Sequence, residues 1–301
     1  MVVTYTATRQ PITRRRFLRA GMFAAAGLAL YSGELERHWI EVSSRDVTVP
    51  GLHASFDGLR VAQLSDIHFE DFTEPFFLHD AVNRINSMRP DMVVLTGDFV
   101  TGLRFGKKIF KDAIFECAKI LNGLNCSQRY ACLGNHDVLI GVKKVIGALT
   151  SQGITVLNNS CTSIERSGGR FWLAGVEDPV EGAPNPEKAL PPSIRNVPNE
   201  PIIFLCHAPD YVDDLLAQPT GRAMSLMLSG HTHGGQICLP FIGPLSLPAM
   251  GQKYVKGWFR FGDLQLHVNR GLGTVNLPFR FNCPPEITLL TLRAQIPQSK
   301  A

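Results

Sequence analysis

The chain has 301 residues, 45% of them hydrophobic and 19% charged, enough for one large α/β domain or two modest ones with a substantial core. Its formal charge of +4 is small, and Arg9, Arg14, Arg15, Arg16 and Arg19 supply much of it within a stretch that holds no acid. The remainder is near neutral and has no basic stripe interleaved with aromatics, which argues against a nucleic-acid-binding surface.

In chain order, the first feature is "TRRRFLR", Thr13 to Arg19, followed at once by an apolar run from Ala20 to Tyr31. It resembles the twin-arginine export signal, a Ser or Thr, two arginines, any residue, Phe, Leu and a basic residue, filled here by Thr13, Arg14, Arg15, Arg16, Phe17, Leu18 and Arg19. The run falls short of the ~20 apolar residues of a spanning helix, which favours a signal over a basic amphipathic helix or an anchor. No clean A-x-A site follows, so removal of the segment stays open. The resemblance implies a partner, the twin-arginine translocase, and delivery of an already folded protein to the periplasm or cell envelope, membrane-associated if the leader stays.

Five apolar runs then end in polar residues able to bind something. A strand over Leu59 to Leu64 ends at Asp66 and His68, and one over Met92 to Thr96 at Gly97 and Asp98. A third, Arg129 to Leu133, ends at Asn135, His136 and Asp137; a fourth, Ile202 to Cys206, at His207; the fifth, "MSLML", runs into "SGHTHGGQI" with His231 and His233. Asp98 follows Asp66 by 32 residues and Asn135 follows Asp98 by 37, each about one strand-helix-strand unit. Phe77, Ala81, Val82 and Ile85 recur at helical spacing in the first gap; Ile109, Ala113, Phe115 and Leu121 do so more loosely in the second. Ligands of such sheets gather beyond the carboxyl ends of strands, where all five clusters lie. Neutral imidazole is the commonest metal ligand, and this N and O donor set suits Mn, Fe or Zn. The seven cysteines form no C-x-x-C pair and are odd in number, so they read as buried thiols rather than a disulfide framework.

In order, "DIH", "GD", "GNHD", "CHAPD" and "GHTH" resemble the five signatures of the calcineurin-like metallophosphoesterase superfamily. The resemblance spans roughly residues 56 to 292, and "NRGLGTVNLPFRFNCPPEITLLTL" is similar to the ending of its exported bacterial phosphodiesterase branch, the YkuE and YaeI type. It implies an α/β fold, a four-layer α-β-β-α sandwich, over 56–295, preceded by a signal segment over 1–32 and a linker and first strand region over 33–55, with a tail over 296–301. It also implies two divalent metal ions, one held by Asp66, His68, Asp98 and His233, the other by Asp98, Asn135, His207 and His231, with Asp98 bridging. Two-metal sites hold their ions ~3.5–4 Å apart, and their shared water becomes a hydroxide that attacks phosphorus in line. His136 is then free to contact the phosphate or protonate the leaving oxygen, with Asp137 fixing its orientation. Glu70 stands where many members have glycine and is expected to narrow the cleft.

The substrate class implied is a phosphodiester or pyrophosphate, with lipid-linked UDP-2,3-diacylglucosamine as one candidate. Phe69, Phe72, Phe76 and Phe77 after the first motif and Phe241, Ile242, Leu245 and Leu247 after the last either admit acyl chains or pack into the core. Alternatives are a phosphomonoesterase or nucleotidase, and a catalytically weak metal-binding module. A nucleophilic hydrolase and a zinc peptidase lack their G-x-S-x-G and H-E-x-x-H motifs.

Overall fold

The computed structural model describes residues 13–70, 72–102 and 112–295. Arg9, Ile109 and the 296–301 tail lie outside them. Among the described residues two six-stranded sheets form. The first runs β1 (Glu41–Val49), β14 (Glu286–Ala294), β2 (Arg60–Leu64), β3 (Met92–Thr96), β4 (Arg129–Cys132) and β5 (Thr155–Val156). The second runs β12 (Gly257–Phe261), β13 (Leu264–Val268), β9 (Met224–Ser229), β8 (Ile202–Leu205), β7 (Gly169–Gly175) and β6 (Ser160–Arg166), and β10 (Cys238–Leu239) with β11 (Gly243–Pro244) makes a small hairpin. β2 to β5 are parallel, as are β7, β8, β9 and β13, while β14, β6 and β12 add antiparallel pairings.

Three apolar clusters define four layers. The first lies between the first sheet and the helices α2 (Pro75–Met88), α3 (Ala113–Leu121) and α4 (Asn135–Ser151) that follow α1 (Arg14–Leu30) in the chain. The second, with Val61, Val94, Leu205 and Leu228, lies between the sheets. The third, with Phe204, Val212 and Leu215, lies under short helices on the far side. β3 is buried along its whole length because it is covered on both faces, which is why it reads as an unbroken apolar run. The expected α-β-β-α sandwich is the observed architecture.

Helix α2 follows from Pro75 at its start, which pre-sets φ, and from Phe77, Leu78, Ala81, Val82 and Ile85, all buried on one stripe. Each large side chain of that stripe contributes roughly 1.5–3 kcal/mol by burial. In α3, Ala113 and Leu121 are buried but Phe115 is 51% exposed, so the loose spacing there put one aromatic on the wrong face. All seven cysteines are free thiols, five of them buried.

The sandwich starts earlier than residue 56. β1 pairs with β14 through the full register from Glu41↔Glu286 to Val49↔Ala294. Ahead of it, Ser32, Gly33, Glu36 and Arg37 are buried.

Candidate metal centre

The carboxyl ends of β2, β3 and β4 in one sheet and of β8 and β9 in the other converge on one point. Main-chain bonds fix the turns beyond them: Asp66 N–H donates to Gly97 O (2.9 Å), His68 N–H to Asp98 O (3.1 Å) and Gly230 N–H to His207 O (3.0 Å). The sheets are tied together as His207 Nδ1 donates to Thr96 O (2.6 Å) and His231 N–H to the Asp66 carboxylate (2.9 Å). Asp66, His68, Asp98, His231 and His233 all adopt left-handed φ, between 48° and 73°. Such conformations are strained for side-chain-bearing residues and cluster at functional sites.

The neighbouring glycines leave no room for anything larger. A Cβ on Gly134 would stand 2.2 Å from Asp98 Oδ1, and one on Gly230 would stand 1.8 Å from Ser65 Oγ.

The donors fall into overlapping groups: Asp66, His68 and His233; Asp98, His207 and His231; and His68, Asp98 and His136. Asp98 Oδ2 lies 3.1 Å from His207 Nε2 and 3.5 Å from His68 Nε2, between the first two groups. Each imidazole has one nitrogen engaged outside the centre. His207 Nδ1 faces Thr96 O, His231 Nε2 faces Ala249 O (2.7 Å), His233 Nδ1 faces Gly273 O (3.2 Å), and His68 Nδ1 meets Thr101 Oγ1 (3.0 Å). A carbonyl only accepts, so in the neutral rings of His231 and His233 the other nitrogen carries a lone pair turned inward, the arrangement metal-ligating histidines use, and His207 reaches it once its Nε2 proton is lost.

The donor set fits two cations. Asn135 Oδ1 is buried without any hydrogen-bond partner, a costly state for a polar atom unless it ligates something, and His207 Nε2 faces only the carboxylates of the centre. His233 Nε2 and His68 Nε2 approach to 3.1 Å, and a cation would relieve that contact. Six of the seven residues expected to bind metal meet here, Asp66, His68, Asp98, His207, His231 and His233, and the seventh, Asn135, lines the adjoining cleft with Asp98, His231 and His233.

Burial pushes His68 down to about 3 and His231 down to about 4, so both rings are neutral and ready to ligate. Burial acts the same way on His207, but the carboxylates of Asp98, Asp66 and Asp178 outweigh it and hold that ring well above its ordinary range. Burial lifts Asp66 to about 6, with His207 opposing the shift. A cation therefore competes with a proton on His207, and with one on Asp66 at mildly acidic pH. Mn²⁺ affinity is expected to fall as pH drops through the range in which these groups take up protons, by up to about tenfold per pH unit for each proton displaced, with Asp66 contributing near and below pH 6. Calorimetric titration in buffers of different ionisation enthalpy measures both the affinity and the protons released; a flat profile with no proton release contradicts this charge arrangement.

Asp137 does not orient His136. Its Oδ2 accepts from Asp98 N–H (2.8 Å) and Gly134 N–H (2.9 Å), and its Oδ1 from Phe99 N–H (3.0 Å). At the third position of α4 it caps that helix and clamps the Asp98 turn to it. His136 is held instead by Gly102 N–H, which donates to Nδ1 (3.0 Å). The acceptor role of Nδ1 leaves the ring hydrogen on Nε2, beside the cleft that His136 lines.

That cleft, of about 310 Å³, opens beside Asp98, Asn135, His231 and His233 and has an apolar wall of Ile237, Leu245, Leu247, Pro248, Val275 and Leu277. Of the flagged aromatic and apolar residues, Phe69 and Phe77 are core, Phe76 is exposed, Leu245 and Leu247 line the cleft, and Phe241 and Ile242 project from the hairpin tip. Glu70 does not narrow the cleft; it lines a separate hollow with Arg37, Phe72 and Glu74. Its φ of 63° accounts for a preference for glycine at that turn.

The sequence reading missed the groups that brace the ligands. Thr101 and Gly102 hold His68 and His136. Arg280, fully buried, donates to the carbonyls of Gly273, Cys283, Arg270 and Gly271, and Gly273 O in turn fixes His233. A lone Arg between two phenylalanines carries no signal of that role.

The calcineurin-like phosphoesterase family profile matches residues 59–235, more than half the chain. The chain belongs to that family. It is 33% identical to the uncharacterized metallophosphoesterase YkuE of Bacillus subtilis, over 94% of this chain and 98% of that protein. It is 33% identical to the phosphodiesterase YaeI of Escherichia coli, over 93% and 99%. It is 28% identical to the UDP-2,3-diacylglucosamine pyrophosphatase LpxG of Chlamydia trachomatis, over 87% and 92%. This calcineurin-like phosphoesterase is thus a metal-dependent phosphoric ester hydrolase. The family profile ends at residue 235, so the apolar wall of the cleft, Ile237 to Leu277, lies beyond it.

Proposed function

We propose that this phosphoesterase hydrolyses phosphodiester or pyrophosphate bonds of a lipid-linked or cell-envelope substrate outside the cytoplasm. The observation that carries the reading is the apolar wall directly beside the metal ligands, which suits an acyl chain next to the reacting phosphorus. The phosphodiesterase YaeI and the pyrophosphatase LpxG, one a diester enzyme and one acting on a diacylated nucleotide sugar, support it.

Asp66, His68, Asp98 and His233 would hold one ion, and Asp98, Asn135, His207 and His231 the other, with Mn, Zn and Fe compatible with these donors. When bound, the two cations polarise the phosphoryl oxygens and acidify the attacking water. The protein's own contribution is to fix that geometry and to place the Nε2–H of His136 at the cleft. With Nδ1 accepting from Gly102 N–H, the ring presents Nε2–H to the cleft, and His136 serves as a hydrogen-bond donor to a phosphoryl oxygen rather than as the proton source for the leaving group. His136→Ala is accordingly expected to slow an activated aryl diester and an alkyl diester by the same factor, ~10²–10³, with metal content unchanged. A loss confined to the alkyl diester would restore the general-acid role.

The leader pattern at Thr13 to Arg19 supports export by the twin-arginine translocase. Changing Arg14 and Arg15 to lysine is expected to abolish export of the folded protein, and unchanged export would point to another route. Comparing UDP-2,3-diacylglucosamine, a glycerophosphodiester with acyl chains, its deacylated counterpart and a nucleoside monophosphate tests the substrate reading. Preference for the acylated compounds supports it; preference for the monophosphate would make the chain a nucleotidase.

A further inference from the structure

Helix α1 and the residues that follow it behave in opposite ways. No side chain of α1 is buried, and Phe17, Leu18, Met22, Phe23, Leu28 and Leu30 are each more than half exposed. The helix carries four arginines near its start and no acid. It is not long and apolar enough to cross a membrane.

Immediately after it the chain sinks into the fold. Arg280 N–H donates to Ser32 O (3.0 Å), and a Cβ on Gly33 would meet the Phe279 ring at 3.0 Å. Cys283 N–H donates to Glu36 Oε1 (2.6 Å). Arg37 reaches Gly33 O (2.7 Å), Phe72 O and Glu74 Oε1 (2.9 Å), and His38 Nε2 lies 3.2 Å from Glu74 Oε2. These contacts fasten Ser32, Gly33 and Glu36 onto residues 279–283, next along the chain from Val275 and Leu277 in the cleft wall, and Arg37 and His38 onto Phe72 and Glu74. The hairpin carrying the exposed Phe241 and Ile242 hangs from the same strip, through Cys238 N–H to Phe281 O (2.8 Å).

Proteases cut where the chain is exposed and able to open. In the folded protein Tyr31, Glu34 and Leu35 are exposed, but Ser32, Gly33, Glu36 and Arg37 are buried and tied down by these contacts, so the junction cannot open readily and resists processing. We infer that α1 is retained in the mature protein as an anchor in a lipid bilayer, and that the Ser32–His38 segment couples this anchor to the rim of the cleft. Apolar side chains beside unbalanced arginines match an anionic lipid surface, where a helix too short to span lies at the interface. The cleft is thereby held at the membrane. The inference rests on the exported, lipid-facing reading above, but its test reads mass and membrane binding rather than hydrolysis, so either can fail without the other.

The full chain, tagged at its carboxyl end, is to be produced in an exporting bacterial host, its intact mass measured, and the purified protein floated with vesicles of phosphatidylethanolamine and phosphatidylglycerol. The expected mass includes α1, and the expected protein floats, less strongly in high salt but not to zero. Replacing Phe23 and Leu28 together by serine should lower vesicle partitioning ~10-fold or more, with an unchanged thermal midpoint because both residues are exposed. A folded mature chain that begins at or beyond Ser32 would overturn the inference. So would a retained helix that does not float, which would assign α1 to a protein partner such as the translocase.

Discussion

Asp98→Ala is expected to remove both cations and to lower kcat by ~10³-fold or more, because the ions supply several kcal/mol of transition-state stabilisation. Asp98 is the carboxylate that two of the donor groups share, with one oxygen 3.1 Å from His207 and 3.5 Å from His68. Its removal also takes away the carboxylate that holds the His207 ring above its ordinary range. The backbone of the turn is held independently, since Asp98 N–H and Phe99 N–H still bind Asp137, so the variant should fold. Metal content by mass spectrometry, read beside kcat on a soluble aryl diester, checks this. Asp98→Asn should behave in the same direction, as its amide lacks the charge needed between two dications. Retention of two ions by Asp98→Ala would show that Asp98 does not bridge.

Gly134→Ala should be nearly as damaging, although it removes no ligand. Its Cβ would stand 2.2 Å from Asp98 Oδ1 and 2.7 Å from Asp98 N, and neither can yield. Oδ1 also accepts from His136 N–H (2.9 Å), so pushing it aside breaks the start of α4 as well. Outer partners of metal ligands are worth ~10–100-fold in affinity or activity, and displacement of the bridging carboxylate should place this variant at or beyond the upper end. Excess Mn²⁺ should recover part of the activity, since all seven donors remain. Wild-type activity at limiting metal would mean that the turn relaxes around the new methyl group.

The donor set was legible because it sits at strand ends: an apolar run that stops at Asp or His needs only local sequence to be seen. The helix under Phe77, Ala81, Val82 and Ile85 was legible for the same reason, its period being intact over the whole span. Elements at the margins were not. β6 is a half-exposed outer strand of polar residues in which little marks a buried face, and β1, inside the expected first strand region, buries only Val47 and Val49 at its end, too little to place its pairing. α4 starts at a ligand and carries Gly141 at φ 124°, which breaks its period. Asp137 was misread through proximity, since adjacency to His136 in the chain suggested a pair. Its position three residues after Gly134, where a carboxylate caps a helix, was the better signal. Gly102 and Ala249 act through main-chain groups and Arg280 through its guanidinium on distant carbonyls, and single-sequence patterns do not encode such contacts.

The measurement that bears most directly on the two-ion centre is a stoichiometric Mn²⁺ titration of the chelator-treated wild-type protein, followed by metal analysis and diester hydrolysis at each step. Two ions per chain are expected, with hydrolysis rising only as the second position fills and with protons released on binding. Full hydrolysis with one ion per chain, or with none, would contradict a centre in which Asp98 joins two cations.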